Sequence, residues 1–192
     1  MTIDEIKNVL MEKLSPKRYK HSLNVMDTAG KLARTYGLDV NKAALAGLIH
    51  DCAREIRGND VFLECDRFNI EISNVCKIQP ELLHGPLGAK LAEEQYGITD
   101  ETILNAVRWH TTGHENMDLM AKVIYIADYI EPGRSFPGIE EARQLAYKNI
   151  DGAMIFSLDR TIRFVVSRGL LVHPDTINAR NSILIKTMEK RN

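Results

Sequence analysis

In "AGLIHDCARE" (Ala46 to Glu55) a run of small apolar residues meets an imidazole and a carboxylate, His50 and Asp51. The doublet alone carries little: six histidines and twelve aspartates in 192 residues give about 0.4 such pairs by chance. Its setting matters more. The preceding run suits a buried helix, and a carboxylate in a core is costly unless it is paired or bound to a cation. No basic residue stands one turn before Asp51, and Arg54, three residues on, is its candidate partner. Asp128 repeats the situation. In "AKVIYIADYIEP" the apolar positions 121, 124 and 125 lead to it on one helical face. His21 shares a face with Val25, Thr28, Leu32 and Tyr36 and so points inward, where a hydrogen-bonded core histidine would look the same. Two carboxylates and two imidazoles sent inward from separate segments are better explained together, by a cation that needs all four. Histidine with carboxylate suits borderline-hard ions such as iron, manganese or cobalt, whereas a structural zinc site would usually show thiolates.

Four histidines remain. His84 ("ELLHGP") and His110 ("AVRWHTTGH") each sit at a helix end beside glycine or threonine, where they can line a pocket mouth. Alternatively they are helix C-terminal cations favoured by the dipole. His114 follows His110 with Gly113 between them and reads as loop. His173 precedes Pro174 and belongs to the surface or a pocket rim.

The elements that must position these residues are all helical. Thr2-x-x-Glu5 is a capping box opening a helix to about Leu14. Ser15-Pro16 starts a second helix, closed by Gly37. Asp39 caps a third, running to about His50 or Ala53, and Gly58-Asn59-Asp60 starts a short fourth. Pro86 opens a helix that stops at Gly97, and Thr99 caps the next, through Trp109. A helix from about Asp118 ends at Pro132, because Glu131 precedes a proline and is pushed out of α geometry. "PGRSFPG" (Pro132 to Gly138) is an irregular loop. Asp151 to Arg168 and Pro174 to Lys190 complete an all-α chain of roughly ten helices.

Composition bounds the function. Hydrophobic content of 44% and charged content of 27% describe an ordinary globular protein, and 192 residues without repeats or linkers suit one domain, residues 1–192. A net charge of −1 argues against a nucleic-acid coat but not against a local basic pocket. There is no apolar run long enough to span a membrane, and "MTIDEIKNVL" has no apolar core of a signal peptide. Cys52, Cys65 and Cys76 are odd in number and lack CxxC spacing, so the expected compartment is a reducing cytoplasm.

The order His21, His50-Asp51, His84, His110, Asp128 resembles that of the HD superfamily of metal-dependent phosphohydrolases. "SPKRYKHSLNV", "AGLIHDCARE", "HGPLGA", "RWHTTG", "IADYIEPGRSFPGIEEAR" and the late "GLLVHPDTINARN" are similar to the YqeK-type members, symmetrical bis(5′-nucleosyl)-tetraphosphatases, which split diadenosine tetraphosphate into two ADP. The resemblance covers nearly the whole chain and implies an HD-domain helical bundle. It implies that His21, His50, Asp51 and Asp128 hold an iron-type metal, with manganese or cobalt as alternatives. It further implies that Asp51, His84 and His110 act in catalysis, and that His84 and His110 face the phosphates with His21 nearby. Arg18, Arg54, Arg134 and Ser135 would bind phosphates, and Gly169, Leu170, His173 and Pro174 would border the nucleoside. The implied partners are a dinucleoside polyphosphate substrate and ADP product, without nucleic acid or membrane, and a homodimer is allowed.

The arginines fit that chemistry on their own terms. A chain of four phosphates carries about four negative charges, which a near-neutral protein must offset locally. Arg18 precedes His21 by one turn, Arg54 follows Asp51 by three residues, and Arg134 follows Asp128 in the loop. Guanidinium forks match phosphate oxygens, although each arginine alone would read as a solvated surface charge. Two other readings are open at this level. One is a phosphohydrolase of the same superfamily acting on a mononucleotide, a cyclic nucleotide or ppGpp. The other is a non-catalytic helical module that senses a nucleotide.

Overall fold

In the computed structural model, which describes residues 1–189, α1 (Ile3–Lys13) begins at the expected capping box. The Glu5 amide donates to Thr2 Oγ1 at 3.3 Å, and the Thr2 amide to Glu5 Oε2 at 2.7 Å. In α2 (Pro16–Thr35) Pro16 takes the first helical position, where a missing N–H costs nothing, and Gly37 follows the helix with φ of 68°. Ser15 does not cap it; its hydroxyl donates to Glu55 Oε1 instead. Asp39 caps α3 (Val40–Ile49) by accepting from the amides of Asn41 and Lys42. After a turn through Glu55 come α4 (Asn59–Arg67), α5 (Asn74–Ile78) and a 3₁₀ turn (Pro80–Leu83). The rest is α6 (His84–Tyr96), α7 (Glu101–Trp109), α8 (Leu119–Ile130), α9 (Ile139–Lys148), α10 (Ile150–Ser167) and α11 (Pro174–Glu189).

The described residues thus hold eleven α-helices and no strand, against roughly ten helices read from the sequence. The differences have local causes. The α5 helix is a five-residue turn capped by Ser73, too short to show a period. The α9 helix starts at Gly138, whose φ of 86° supplies the corner without a side-chain cap, so no cap residue advertises it. The α6 helix starts at His84 rather than Pro86, which places that histidine in a first turn. Asp100, not Thr99, caps α7, accepting from the Thr102 amide at 2.9 Å. The expected end of the last helix, Lys190, lies outside the described residues.

The α2 helix packs along α3 and α8, and α7 bridges α3, α6 and α8. The ends of these helices carry the residues with chemistry: Arg18 and His21 in the first turns of α2, His50 and Asp51 just past α3, and His84 at the head of α6. His110 lies just past α7, and Asp128 in the last turn of α8. Cys52, Cys65 and Cys76 are free and buried. No described helix is long and apolar enough to cross a membrane.

One glycine sets how closely α2 and α3 approach. A Cβ on Gly47 would stand 2.9 Å from Val25 O and 3.1 Å from both Met26 Cα and Ala29 Cβ, so backbone would have to move. Gly30 is different, because its nearest neighbour, Val40 Cγ1, would lie at an ordinary 3.6 Å. Gly47→Ala is expected to destabilise the protein by about 1–3 kcal/mol in urea unfolding, despite alanine's better helix propensity. Gly30→Ala should stabilise it by about 0.5–1 kcal/mol. A stabilising Gly47→Ala would refute the close approach.

Candidate active site

Three of the histidines are oriented by the same device. At a helix end the last carbonyls lack a partner, and a histidine three residues on can donate to one of them. The Nδ1–H of His50 donates to Gly47 O at 2.7 Å, and that of His110 to Val107 O at 2.7 Å. The Nδ1–H of His84 donates to Glu81 O at the end of the 3₁₀ turn. Arg54 Nη1 shares that last acceptor at 3.0 Å. With Nδ1 carrying the proton, Nε2 of each ring presents a lone pair. His21 is held from the other side: its Nδ1 meets Glu131 Oε1 at 3.2 Å, and Glu131 is in turn fixed by Asn24 Nδ2 at 2.7 Å and the Gly133 amide.

The four Nε2 atoms converge on Asp51. One carboxylate oxygen, Oδ1, lies 3.2 Å from His84 Nε2 and 3.6 Å from His110 Nε2, which are themselves 2.9 Å apart. The other, Oδ2, lies 3.7 Å from His50 Nε2 and 3.9 Å from His21 Nε2, which are 3.3 Å apart. Asp128 Oδ1 closes that second group, 3.0 Å from His21 and 4.0 Å from His50. Facing lone pairs repel, and few protons are on hand to separate them: Thr111 Oγ1 lies 3.1 Å from His84 Nε2 and 3.2 Å from His110 Nε2, one hydroxyl proton for two acceptors. A set of acceptors this dense and this poor in donors fits a cation, and His21–His50–Asp51, His50–His110–Asp128 and Asp51–His84–His110 each could hold one.

The electrostatics agree. Burial opposes the charge on Asp51, yet the neighbouring His50, His110 and His84 hold its pKa well below the ordinary carboxylate value. Burial likewise opposes the Asp128 charge and is overcome by the His21 hydrogen bond and by Arg134, which lower its pKa. Burial pushes His50 down to about 4, which keeps it neutral. His84 is lowered too, mainly by burial. His21 is raised: burial works against its charge, but the hydrogen bond to Asp128 prevails.

A cleft of about 230 Å³ opens over this cluster, lined by Asp51, His84, His110, Asp128, Thr111, Thr161, Tyr125 and Tyr129 together with Arg18, Arg54 and Arg134. Several sequence readings change here. Asp51 pairs with Arg18, whose Nη1 lies 3.0 Å from Oδ2, and not with Arg54, which binds Glu81 O. Arg18 comes from another helix, so spacing along α3 could not show it. His84 and His110 are buried on the floor of the cleft rather than standing at its mouth. His84 stands at the head of α6 rather than at a helix C-terminus, and His110 follows the end of α7 and turns its Nδ1 back to Val107 O. Asp128 is half-buried, and Arg134 donates to both its carboxylate and its backbone oxygen. Ser135, Gly169, Leu170, His173 and Pro174 lie outside the cleft lining. Leu171, Val172 and His173 adjoin it through a small cavity that shares Thr111 and Thr161. His114 stacks on Trp109, ring centroids 4.6 Å apart, away from the cluster.

Asn24 and Glu131 were missed by the sequence reading. Their signal was the helical spacing: Asn24 is three residues after His21, and Glu131 three after Asp128. In the sequence Glu131 shows only as the residue that stops a helix before proline. Thr111 and the Tyr125, Tyr129 and Thr161 lining carried no signal of their own.

A bundle whose helix ends gather histidines around buried carboxylates, with arginines above them, defines a metal-dependent phosphohydrolase of the HD type. The HD domain family matches residues 18–133, which span the site from Arg18 to Asp128. The chain is 42% identical over 173 residues to the symmetrical bis(5′-nucleosyl)-tetraphosphatase of Halalkalibacterium halodurans, covering 90% of this chain and 92% of that protein. It is 38% identical over 183 residues to the enzyme so named in Staphylococcus aureus, covering 94% of each. A crystal structure of a predicted HD superfamily hydrolase involved in NAD metabolism, from Clostridium acetobutylicum, superposes with a TM-score of 0.94 at 46% identity over 97% of this chain and 98% of that one. The chain belongs to the HD-domain family, within the branch of the symmetrical bis(5′-nucleosyl)-tetraphosphatases.

Glu131 orients His21 without entering the cluster. Glu131→Gln is therefore expected to weaken binding of a divalent cation by about 10- to 100-fold while leaving every cluster donor in place. Competition against a chelating dye measures it; unchanged affinity would show that the Glu131–His21 contact plays no part in metal binding.

Proposed function

We propose that this chain hydrolyses diadenosine tetraphosphate to two ADP, with cations held by the Asp51 cluster and the phosphates held by Arg18, Arg54 and Arg134. The observation that carries it is the convergence of four imidazole Nε2 atoms on Asp51 directly beneath those three guanidiniums. The activity shared by the curated relatives favours this substrate over a mononucleotide, a cyclic nucleotide or ppGpp. The mixed imidazole and carboxylate donors suit iron, with manganese or cobalt as alternatives.

His21, His50, Asp51 and Asp128 are the proposed metal donors, and His84 and His110 make a further group on the other oxygen of Asp51. The bound metal supplies a Lewis acid and a water of lowered pKa. Symmetric products require attack at the second phosphorus from either end, with ADP as the leaving group. A terminal phosphate leaves easily, so positioning and neutralisation carry most of the work. Arg134 and Arg18 keep 38% and 34% of their side chains exposed, enough to present N–H groups to phosphate oxygens. His84 and His110 lie beneath the same oxygens, and Asp51, fixed by its neighbours, is placed both to hold metal and to orient water. The Gly169–Pro174 stretch and Ser135 are the proposed outer contacts to one nucleotide end. The chain works as one domain, and its free buried cysteines suit a reducing cytoplasm.

Incubation of the metal-loaded protein with diadenosine tetraphosphate, followed by chromatography, should give ADP alone, two per substrate. AMP plus ATP would overturn the reading. Asp51→Ala, which removes a donor from both groups, should lower kcat by about a thousandfold and reduce metal content. Full activity with normal metal would remove Asp51 from the mechanism.

A further inference from the structure

Cutting a symmetric dinucleotide at its centre requires room for a nucleotide on both sides of the cluster. On one side the cleft adjoins the Leu171–His173 stretch through Thr111 and Thr161. A second cavity, of about 400 Å³, enters the cleft elsewhere, sharing Arg18, Arg54 and His84 with it and no residue with the first approach. Its volume lies within the ~300–1,000 Å³ usual for small-molecule sites.

We propose that this second cavity binds the other nucleoside diphosphate half of the substrate, an inference that rests on the activity proposed above. Its composition matches such a ligand part by part. Arg57 lines it together with Arg18 and Arg54, the two guanidiniums that it shares with the cleft over the cluster. The Arg57 side chain is 69% exposed and paired with Glu55 at 2.6 Å. An exposed pair of this kind is weak, so the guanidinium is free to exchange Glu55 for a phosphate. Ile56, Val61 and Pro80 supply an apolar wall for a base. Glu81 is the one acid on the lining. A carboxylate repels phosphate but accepts hydrogen bonds from vicinal hydroxyls, which places a ribose, not a bare polyphosphate, at that end.

The test counts product. Calorimetric titration of the metal-loaded protein with ADP should give two ADP per chain, falling to one in Ile56→Trp, which fills the cavity from a half-buried position. Arg57→Glu, at an exposed site that does not threaten folding, should also lose the second ADP. It should raise KM for diadenosine tetraphosphate about tenfold with little change in kcat. One ADP per chain in the unmodified protein, or two in both variants with KM unchanged, overturns the second site. The two readings fail separately. Protein that cleaves the substrate but binds one ADP loses the cavity and keeps the activity. Protein that binds two ADP, loses one in the variants and does not cleave keeps the cavity and loses the activity.

Discussion

The buried carboxylate of Asp51 is the constraint to which the rest of the molecule answers. An anion with 4% of its side chain exposed is stable in a protein only if its surroundings are arranged for it. Arg18 supplies one partner, and the four imidazole Nε2 atoms crowded around the carboxylate suit a shared cation as the other. Those imidazoles can share a cation with Asp51 only if their orientation is fixed. For His21 this falls to Glu131, and for the other three to helix ends, where Gly47, Glu81 and Val107 each offer a carbonyl that the helix leaves unpaired. The same contact solves two problems: it satisfies an orphan acceptor and it chooses the tautomer that turns Nε2 towards the cluster.

That solution demands that several helix ends meet in a small volume, and glycines make it sterically possible. Gly47 lets α3 lie on the backbone of α2, so His50 and Asp51 emerge close to His21. Gly85, next to His84, does the same between α6 and α7. A Cβ there would stand 2.6 Å from Arg108 O, so no other residue permits His84 to approach His110 so closely. Gly88, one turn on, would put its Cβ 3.5 Å from Cys52 Sγ and 3.6 Å from His50 O, ordinary contact distances, with Val107 Cγ1 tighter at 3.3 Å. Stability and function are therefore spent on the same packing: loosening these crossings would misplace the rings as well as weaken the core.

The helices were legible from caps and apolar spacing because those signals are local. Thr2, Asp39 and Asp118 cap where the sequence indicated. What escaped was either too short, as in α5, or opened by glycine geometry rather than by a capping side chain, as in α9. The site divides along the same line. His21, Asp51 and Asp128 were readable from the apolar faces that carry them. The partners were not, because a pairing such as Arg18 with Asp51 joins residues 33 apart and exists only once α2 and α3 are packed. His84 and His110 were identified by their order along the chain, yet their burial on the cleft floor depends on Gly85, whose role appears only when α7 is in place.

Charge bookkeeping within the cleft shows why a cation belongs to the proposed function and is not an accessory to it. The lining holds three guanidiniums, Arg18, Arg54 and Arg134, and two carboxylates, Asp51 and Asp128, for a balance of +1 with the histidines neutral. A tetraphosphate brings about four negative charges. The side chains alone therefore offset about one of them, and two of the three arginines already spend hydrogen bonds on the carboxylates. One divalent ion raises the balance to about +3 and a second to about +5, which spans the charge to be neutralised. The acids that weaken the cleft as a phosphate site are the same ones that concentrate the cations needed to make it strong. Arg57 matters on this count as well, since on exchanging Glu55 for phosphate it adds a guanidinium in the second cavity, which neither Asp51 nor Asp128 lines.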